Sequence, residues 1–567
     1  MKAKSLSMIV GAACCAMMIS CSQQVQNTKS ETLTVGNPYL PLWEHIPDGE
    51  PYVFDDPDNP GKQRVYIYGS HDDLVTAYCG RDQVVWSAPV EDLSQWRYDG
   101  VILVVDKNAK GEPFDSAGTA DVLYAPDVTF MTDSTGKKTY YLFPNDQTGY
   151  RNGLIAKSDR PDGPFEVCNW NADDPTKVDG IYGFDPAVFV DDDGRVYGYW
   201  GFEHSYAAEI DPATMCTVKP GTKVVDGMIS GRNEPGIFSF FEASSIRKIK
   251  DKYVFIYSRF TKDGEFGLPT SNYTLAYCYS DQPLGPWTYG GTIIDGRARE
   301  INEQGDTIAS ATPDGNTHGS ICEINGQWYV FYHRQTGTDE YARQAMVAPI
   351  EVKVEEGPGG KVEISEGEYN SEGFALNGLD PFEPHSAGIA CWHTGPKPAT
   401  HDWPNNTFFG SYVAATYGSN ETVKTTDDTW KPAEKYDMPY DLRYNTNPVV
   451  NNTDGSIVGY KYFNFDAESL DEDDNLMLSL RLVPEGIDGT IEVWMDRPWE
   501  SQGGKKIGEI ALKADMKQEP WDMAIGISNE AKENDLTGKH AIFFVFKSDT
   551  KEKSLCTLLD FVFTFDE

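Results

Sequence analysis

The chain has 567 residues, too long for one hydrophobic core, and its 88 acidic against 48 basic side chains leave a formal charge of −40. That charge repels phosphate backbones and no basic stripe offsets it, which argues against nucleic acid as a partner, whereas neutral glycans meet no such penalty. Aromatics make up 13 % of the residues, 31 Tyr and 13 Trp among them, and helical patterning is scarce; this points to an all-β protein whose surface meets sugars or other flat apolar faces.

The chain opens on Met1-Lys-Ala-Lys4, an apolar core from Met8 to Ile19, then Ser20-Cys21. A basic start, a short apolar stretch and small residues before a cysteine describe an export signal over residues 1–20 rather than a membrane span. Met18-Ile-Ser-Cys21 resembles a bacterial lipobox, which implies that Cys21 carries a lipid anchor, with residues 21–34 as a polar tether. The expected location is then periplasmic or at the outer-membrane or cell surface, with the membrane met only through that anchor. The cysteines at 79, 168, 216, 278, 322, 391 and 556 are odd in number and lie in strand-like segments; they read as buried free thiols, and no spacing offers a zinc site.

Five aromatic runs follow one another: Arg64–Gly69, Lys138–Phe143, Arg195–Trp200, Lys252–Tyr257 and Gln327–Tyr332. Four follow a Gly, Asp or Asn turn, and a Ser-Asp-x-Pro-x-Gly-Pro-aromatic turn recurs after two of them, ending at Phe165 and Trp287. Five units of roughly 60 residues, each with several short strands, predict a five-bladed β-propeller over residues 35–375.

In a propeller the innermost strand of each blade runs along the central channel, so polar residues at equivalent points converge on the axis. The residues preceding the aromatic strands are Asp48 (Ile46-Pro-Asp-Gly-Glu-Pro51), Asp127 (Tyr124-Ala-Pro-Asp-Val128), Asp185 (Gly183-Phe-Asp-Pro186), Glu242 (Phe240-Phe-Glu-Ala-Ser244) and His318 (Asn316-Thr-His-Gly-Ser320). Taken singly, Asp48 and Asp185 are common turn residues and His318 a common core histidine. Five independent turn residues would not keep step with five blades, and Glu242 has no turn role, so a carboxylate there is costly to bury without a task.

These residues resemble glycoside hydrolase family 43 over about residues 35–370. The resemblance implies an inverting glycosidase with Asp48 as general base, Asp185 orienting the site and Glu242 as general acid. It also implies substrate-binding roles for Asp127, His318 and for Arg343 before Val347-Ala-Pro-Ile350. The family's base usually precedes a proline, which leaves Glu50, before Pro51, as an alternative base. Inversion needs two carboxyl groups roughly 6.5–9.5 Å apart, one ionised and one protonated. The apolar neighbours of Glu242 would keep it protonated. Trp200 and Phe202 either stack on the sugar or fill a blade core. No cofactor is required; a calcium ion on the axis, held indirectly through His318, is the open alternative.

After Asp380 a Pro/His/Trp-rich connector leads to alternating runs at 457–465, 476–482, 489–495, 506–512, 540–546 and 558–565, which predict a β-sandwich within residues 376–567. It resembles carbohydrate-binding modules of family 6, and it either binds glycan or braces the propeller. The function expected is exo-hydrolysis of a terminal furanose or pentose from polysaccharide side chains. α-L-Arabinofuranose is the first choice, with xylose and galactofuranose as alternatives on the same scaffold. A non-catalytic glycan-binding propeller lipoprotein is the reading from another class.

Overall fold

The computed structural model describes residues 36–566 apart from 73–76, 115–118, 148, 150, 314, 403–404, 416–446, 468–474 and 528–535. The export signal, Cys21 and the tether therefore lie outside the described residues.

Five antiparallel sheets follow in chain order, each a meander. Blades 1 to 4 have four strands, with innermost strands Glu50–Asp55, Asp127–Thr132, Ala187–Val190 and Phe240–Ile249; blade 5 has three and starts at Ser320–Ile324. The aromatic runs read from the sequence are the second strands, for example Gln63–Tyr68 and Lys252–Arg259. Their apolar residues are nearly continuous because both faces of each blade are covered. In blade 1, Val65 and Ile67 pack with Tyr329 and Phe331 of blade 5, whereas Tyr66 and Tyr68 pack with Tyr140 and Leu142 of blade 2. One strand thus feeds two interblade cores by the two-residue alternation of its side chains.

The N-terminal segment closes the ring on blade 5. Asn37 Nδ2 donates to the carbonyl of Val347 at 2.7 Å, and Asn37 Oδ1 accepts from the Val347 N–H at 3.0 Å. With first and last blades tied this way, the channel walls hold a fixed register.

The second unit is a β-sandwich. One sheet runs, in spatial order, Tyr412–Val413, Val449–Val450, Cys556–Asp566, Asn475–Pro484, Trp521–Gly526; the other runs Trp392–Thr394, Ile457–Asn464, Lys539–Lys547, Gly489–Met495, Lys505–Leu512. Trp521–Gly526 is absent from the sequence reading because only Ile525 of that strand is buried, so it shows no apolar alternation. Among the cysteines two differ from expectation: Cys168, just past a two-residue strand, is exposed, and Cys322, in the middle of the innermost strand of blade 5, is half-buried.

The sandwich is fastened to the propeller. Glu300, on the hairpin Arg299–Ile301/Thr307–Ala309, pairs with both Lys461 and Arg497, the latter at 3.1 Å. Trp392, Trp494, Trp499 and Tyr462 pack together with Ile308 of that hairpin. Arg334 of blade 5, fully buried, donates to the carbonyl of Ala390 at 2.7 Å and to that of Gly388.

Candidate active site

Each residue aligned by the repeat lies at the start of an innermost strand: Asp48, Asp185 and His318 two residues before one, Asp127 as its first residue and Glu242 as its third. The equivalence of these positions brings Asp48, Asp185, Glu242 and His318 to one mouth of the channel. Asp48, Asp185, Glu242, His318 and Arg343 line one cavity of about 580 Å³, with Tyr78, Phe202, Arg232, Phe241, Phe260, Glu340 and His401 among the other walls.

Asp48 has a left-handed backbone (φ 61°), which aspartate tolerates better than most residues. Its carboxylate accepts from Ser70 Oγ at 2.5 Å and from Arg343 Nη1 at 3.1 Å. Arg343 is itself held by Asp72, at 2.8 Å from both Nε and Nη2. Burial alone would push the Asp48 carboxyl up, but Arg343 first, then His333, His318 and the Ser70 hydroxyl, outweigh it and hold it below the usual carboxylate range. His333 also fixes the backbone at Asp48. Its Nδ1 accepts the Asp48 backbone N–H at 3.2 Å, Nε2 faces the Asn316 carbonyl at 2.9 Å, and burial pushes the imidazole down to about 4, so it is neutral.

Glu242 is presented by a bulge. The register of Phe240–Ile249 against Lys252–Arg259 shifts between Phe240 and Glu242 and again between Glu242 and Ser245. A regular strand would send Phe241 and Glu242 to opposite faces; the irregularity lets both face the cavity. Ala243, at φ 66°, holds the strained position, and its N–H donates to Asp185 Oδ2 at 3.0 Å. Burial first, then the neighbouring Asp185 carboxylate, push the Glu242 carboxyl well above the usual range. The two carboxyl groups are therefore driven apart in acidity by their surroundings, one ionised and the other protonated near neutral pH.

Asp185 accepts from Asn145 Nδ2 at 2.8 Å and stands 3.5 Å from His318 Nδ1. Burial opposes charge on His318, yet Asp185, Asp48 and Glu50 push its imidazole up to about 9.

Three sequence assignments change. Glu50 is buried at the start of the first innermost strand, outside the cavity wall, and its Oε2 pairs with Arg247 Nη2 at 2.7 Å; a carboxylate so engaged is a structural anchor, not a base beside the substrate. Asp127 sits deeper in the channel, accepting from Tyr52 Oη at 2.6 Å and from the Val188 N–H at 2.6 Å, so it joins blades 1, 2 and 3 and does not reach the cavity. Trp200 belongs to the blade core, edge-on to Tyr182 and stacked with Tyr206; Phe202, 49 % exposed, is the aromatic that faces the cavity.

Tyr78, Arg232, Phe260, Glu340 and His401 are cavity residues that the sequence reading missed. Tyr78, Phe260 and Glu340 sit on the loops that join the second and third strands of blades 1, 4 and 5, Arg232 on the loop from blade 3 to blade 4, and His401 beyond the propeller altogether, all outside the aromatic strands that mark the repeat.

Residues 55–358 match the profile of Glycosyl hydrolases family 43. The chain belongs to glycosyl hydrolases family 43. As a member it is a glycosidase, and similarity extends past the propeller. It is 30 % identical over 546 residues to a xylosidase/arabinosidase of Thermoclostridium stercorarium, covering 92 % of this chain and 98 % of that one. It is 28 % identical to an arabinoxylan arabinofuranohydrolase of Paenibacillus polymyxa, over 63 % of this chain and 55 % of the relative. Among solved structures, a family 43 arabinoxylan arabinofuranohydrolase from Bacillus subtilis aligns over 92 % of this chain and 96 % of its own, at 20 % identity and a TM-score of 0.41.

Proposed function

We propose that this family 43 glycosidase removes a terminal α-L-arabinofuranose or β-D-xylose from arabinoxylan-type side chains with inversion, Asp48 acting as base and Glu242 as acid. The observation that carries this reading is the opposite displacement of two carboxyl groups in one cavity: Asp48 held ionised by Arg343, Glu242 held protonated by burial and Asp185. Asp48 takes a proton from water as its oxygen attacks the anomeric carbon; Glu242 gives its proton to the departing glycosidic oxygen. Asp185 fixes the backbone after Glu242 and, as a nearby negative charge, opposes its ionisation. His318, protonated, offsets the carboxylates on the cavity floor. The names of the relatives supply the sugar classes, xylose and arabinofuranose in one case and arabinofuranose on arabinoxylan in the other. A panel of nitrophenyl α-L-arabinofuranoside, β-D-xyloside and β-D-galactofuranoside tests the reading: turnover of one of the first two is expected. Failure on all three and on arabinoxylan oligosaccharides, with glycan binding intact, would replace it by the binding-protein reading.

A calcium ion on the axis does not fit the residues there. Among the described residues no three His, Cys, Asp or Glu side chains are grouped to hold a metal ion. His318 Nε2 and Glu50 Oε1 face each other at 4.0 Å without hydrogen-bond partners, but Glu50 is already matched by Arg247 through its other oxygen. That guanidinium fills the cation's role. It reaches from blade 4 to Glu50 and to the Pro51 carbonyl of blade 1, to the Tyr52 hydroxyl at 3.2 Å and to the Ile321 carbonyl of blade 5 at 3.1 Å. Through Tyr52 and Asp127 the same network continues to blades 2 and 3.

The sandwich is read as a brace. Three Trp and Tyr462 are consumed in its packing at the propeller hairpin, and those rings are unavailable to clamp a sugar. Export and lipid anchoring through Cys21 rest on the sequence pattern of residues 1–21. Release of lipid-labelled protein from cells, lost in Cys21→Ala, tests that part.

A further inference from the structure

We infer that the second unit supplies a sugar-selecting residue to the active-site cavity: His401, which completes a polar wall with Glu340 and Tyr78. The inference rests on the reading of Asp48 as the base. His401 lies on the hairpin Thr400–Asp402/Asn405–Thr407, beyond the propeller. That hairpin is seated on the blade 5 loop: Asn405 bridges Asp339 and the Asn406 N–H donates to the Thr338 carbonyl, while the Gly337 N–H donates to the carbonyl of Val413 in the next strand at 2.8 Å. Nδ1 of His401 is tied to Asn406 Oδ1 at 2.9 Å, which fixes the ring so that Nε2 stands 3.2 Å from Glu340 Oε1.

Glu340 is 6 % exposed, and a carboxylate that deep needs partners. Its other oxygen accepts from Tyr78 Oη at 2.5 Å, and the Tyr78 ring lies 5.0 Å from the Arg343 guanidinium that holds Asp48. The three side chains therefore run from the second unit to the base side of the cavity. In an inverting site the base stands on the face of the sugar away from the leaving group. This wall meets the hydroxyls of the terminal sugar, whereas Phe241, beside the acid Glu242, belongs to the leaving-group side. A furanose and a pyranose present their hydroxyls at different heights, and a site built to hydrogen-bond one arrangement leaves buried polar groups unmatched by the other.

The test uses the full chain with His401→Ala, and with His401→Gln, which can still donate to Glu340. Steady-state kinetics are read on nitrophenyl α-L-arabinofuranoside and β-D-xyloside, which share a leaving group, beside calorimetric affinities for free L-arabinose and D-xylose and thermal melting. In His401→Ala the ratio of kcat/KM between the two sugars changes by about tenfold, the scale of one polar contact in a selective pocket, carried in KM and mirrored in the two monosaccharide affinities. His401→Gln recovers most of that change. An equal loss on both sugars, or unchanged ratios in a normally melting His401→Ala, overturns the inference. If the wild type turns over neither glycoside, the proposed activity fails, and the monosaccharide affinities still decide whether His401 selects between sugars.

Discussion

Asp185 Oδ2 accepts the backbone N–H of Ala243 at 3.0 Å, so a blade 3 carboxylate holds the bulge that aims the blade 4 acid. The same carboxylate raises the proton affinity of Glu242 through space. Position and acidity of the proton donor thus depend on one residue, and Asp185→Asn separates the two effects. Asn retains an oxygen for Ala243 but loses the charge. The expected outcome is a fall of the alkaline limb of the kcat/KM profile toward lower pH, with a modest loss at the optimum; an unmoved limb would assign the raised proton affinity to burial alone.

Glu242→Gln removes the proton donor. Turnover of arabinoxylan oligosaccharides should fall by about 10²–10⁴-fold, whereas a nitrophenyl glycoside, whose leaving group needs little protonation, should lose much less. Similar losses on both classes would remove Glu242 from the acid role.

Asp48→Asn and Glu50→Gln should part company. The first loses the base and fails on every substrate regardless of leaving group. The second leaves the Arg247 guanidinium unmatched in the channel, so its main effect is on stability, on the order of 3–5 kcal/mol for breaking a buried pair. Denaturant unfolding of both variants beside their kinetics checks this, and a fully stable Glu50→Gln with no activity would reverse the assignment.

The propeller and most of its floor were legible because a repeat carries its own register. Asp48, Asp185, Glu242 and His318 could be aligned against five aromatic strands, and the strands themselves alternate plainly. Asp127 kept the same register yet lies too deep to meet substrate, since register fixes a residue's place along the strand and not its depth in the channel. Arg247, in the strand that carries Glu242, gave no sign in sequence, because its partners Glu50 and Tyr52 lie almost 200 positions away. Trp200 and Phe202 are two residues apart beside the glycine Gly201, and nothing local tells which ring enters the core. His401 was illegible for the plainest reason: it reaches the cavity from outside the repeating unit.

Stability should also follow pH through His318. Its folded-state pKa of about 9 lies above the usual value of about 6.5, so its contribution is complete below that value and is lost as pH rises through 9. The melting temperature should therefore decline across this interval, by an amount equivalent to on the order of 1–3 kcal/mol, and His318→Asn should flatten the decline. A wild-type curve already flat over the interval would place the neutral imidazole in the folded state.

With Arg247 in the cation's place on the axis, the enzyme should be indifferent to metal. Dialysis against EDTA and addition of calcium should each leave activity and melting temperature unchanged. A melting temperature that rises with added calcium would show that an ion does bind the channel.

The central claim, inversion by Asp48 and Glu242, is tested most directly by the configuration of the first product. Proton NMR of the purified enzyme acting on nitrophenyl α-L-arabinofuranoside or β-D-xyloside should show the opposite anomer forming first, β-L-arabinofuranose or α-D-xylose, before mutarotation. First appearance of the substrate's own anomeric configuration would contradict the account.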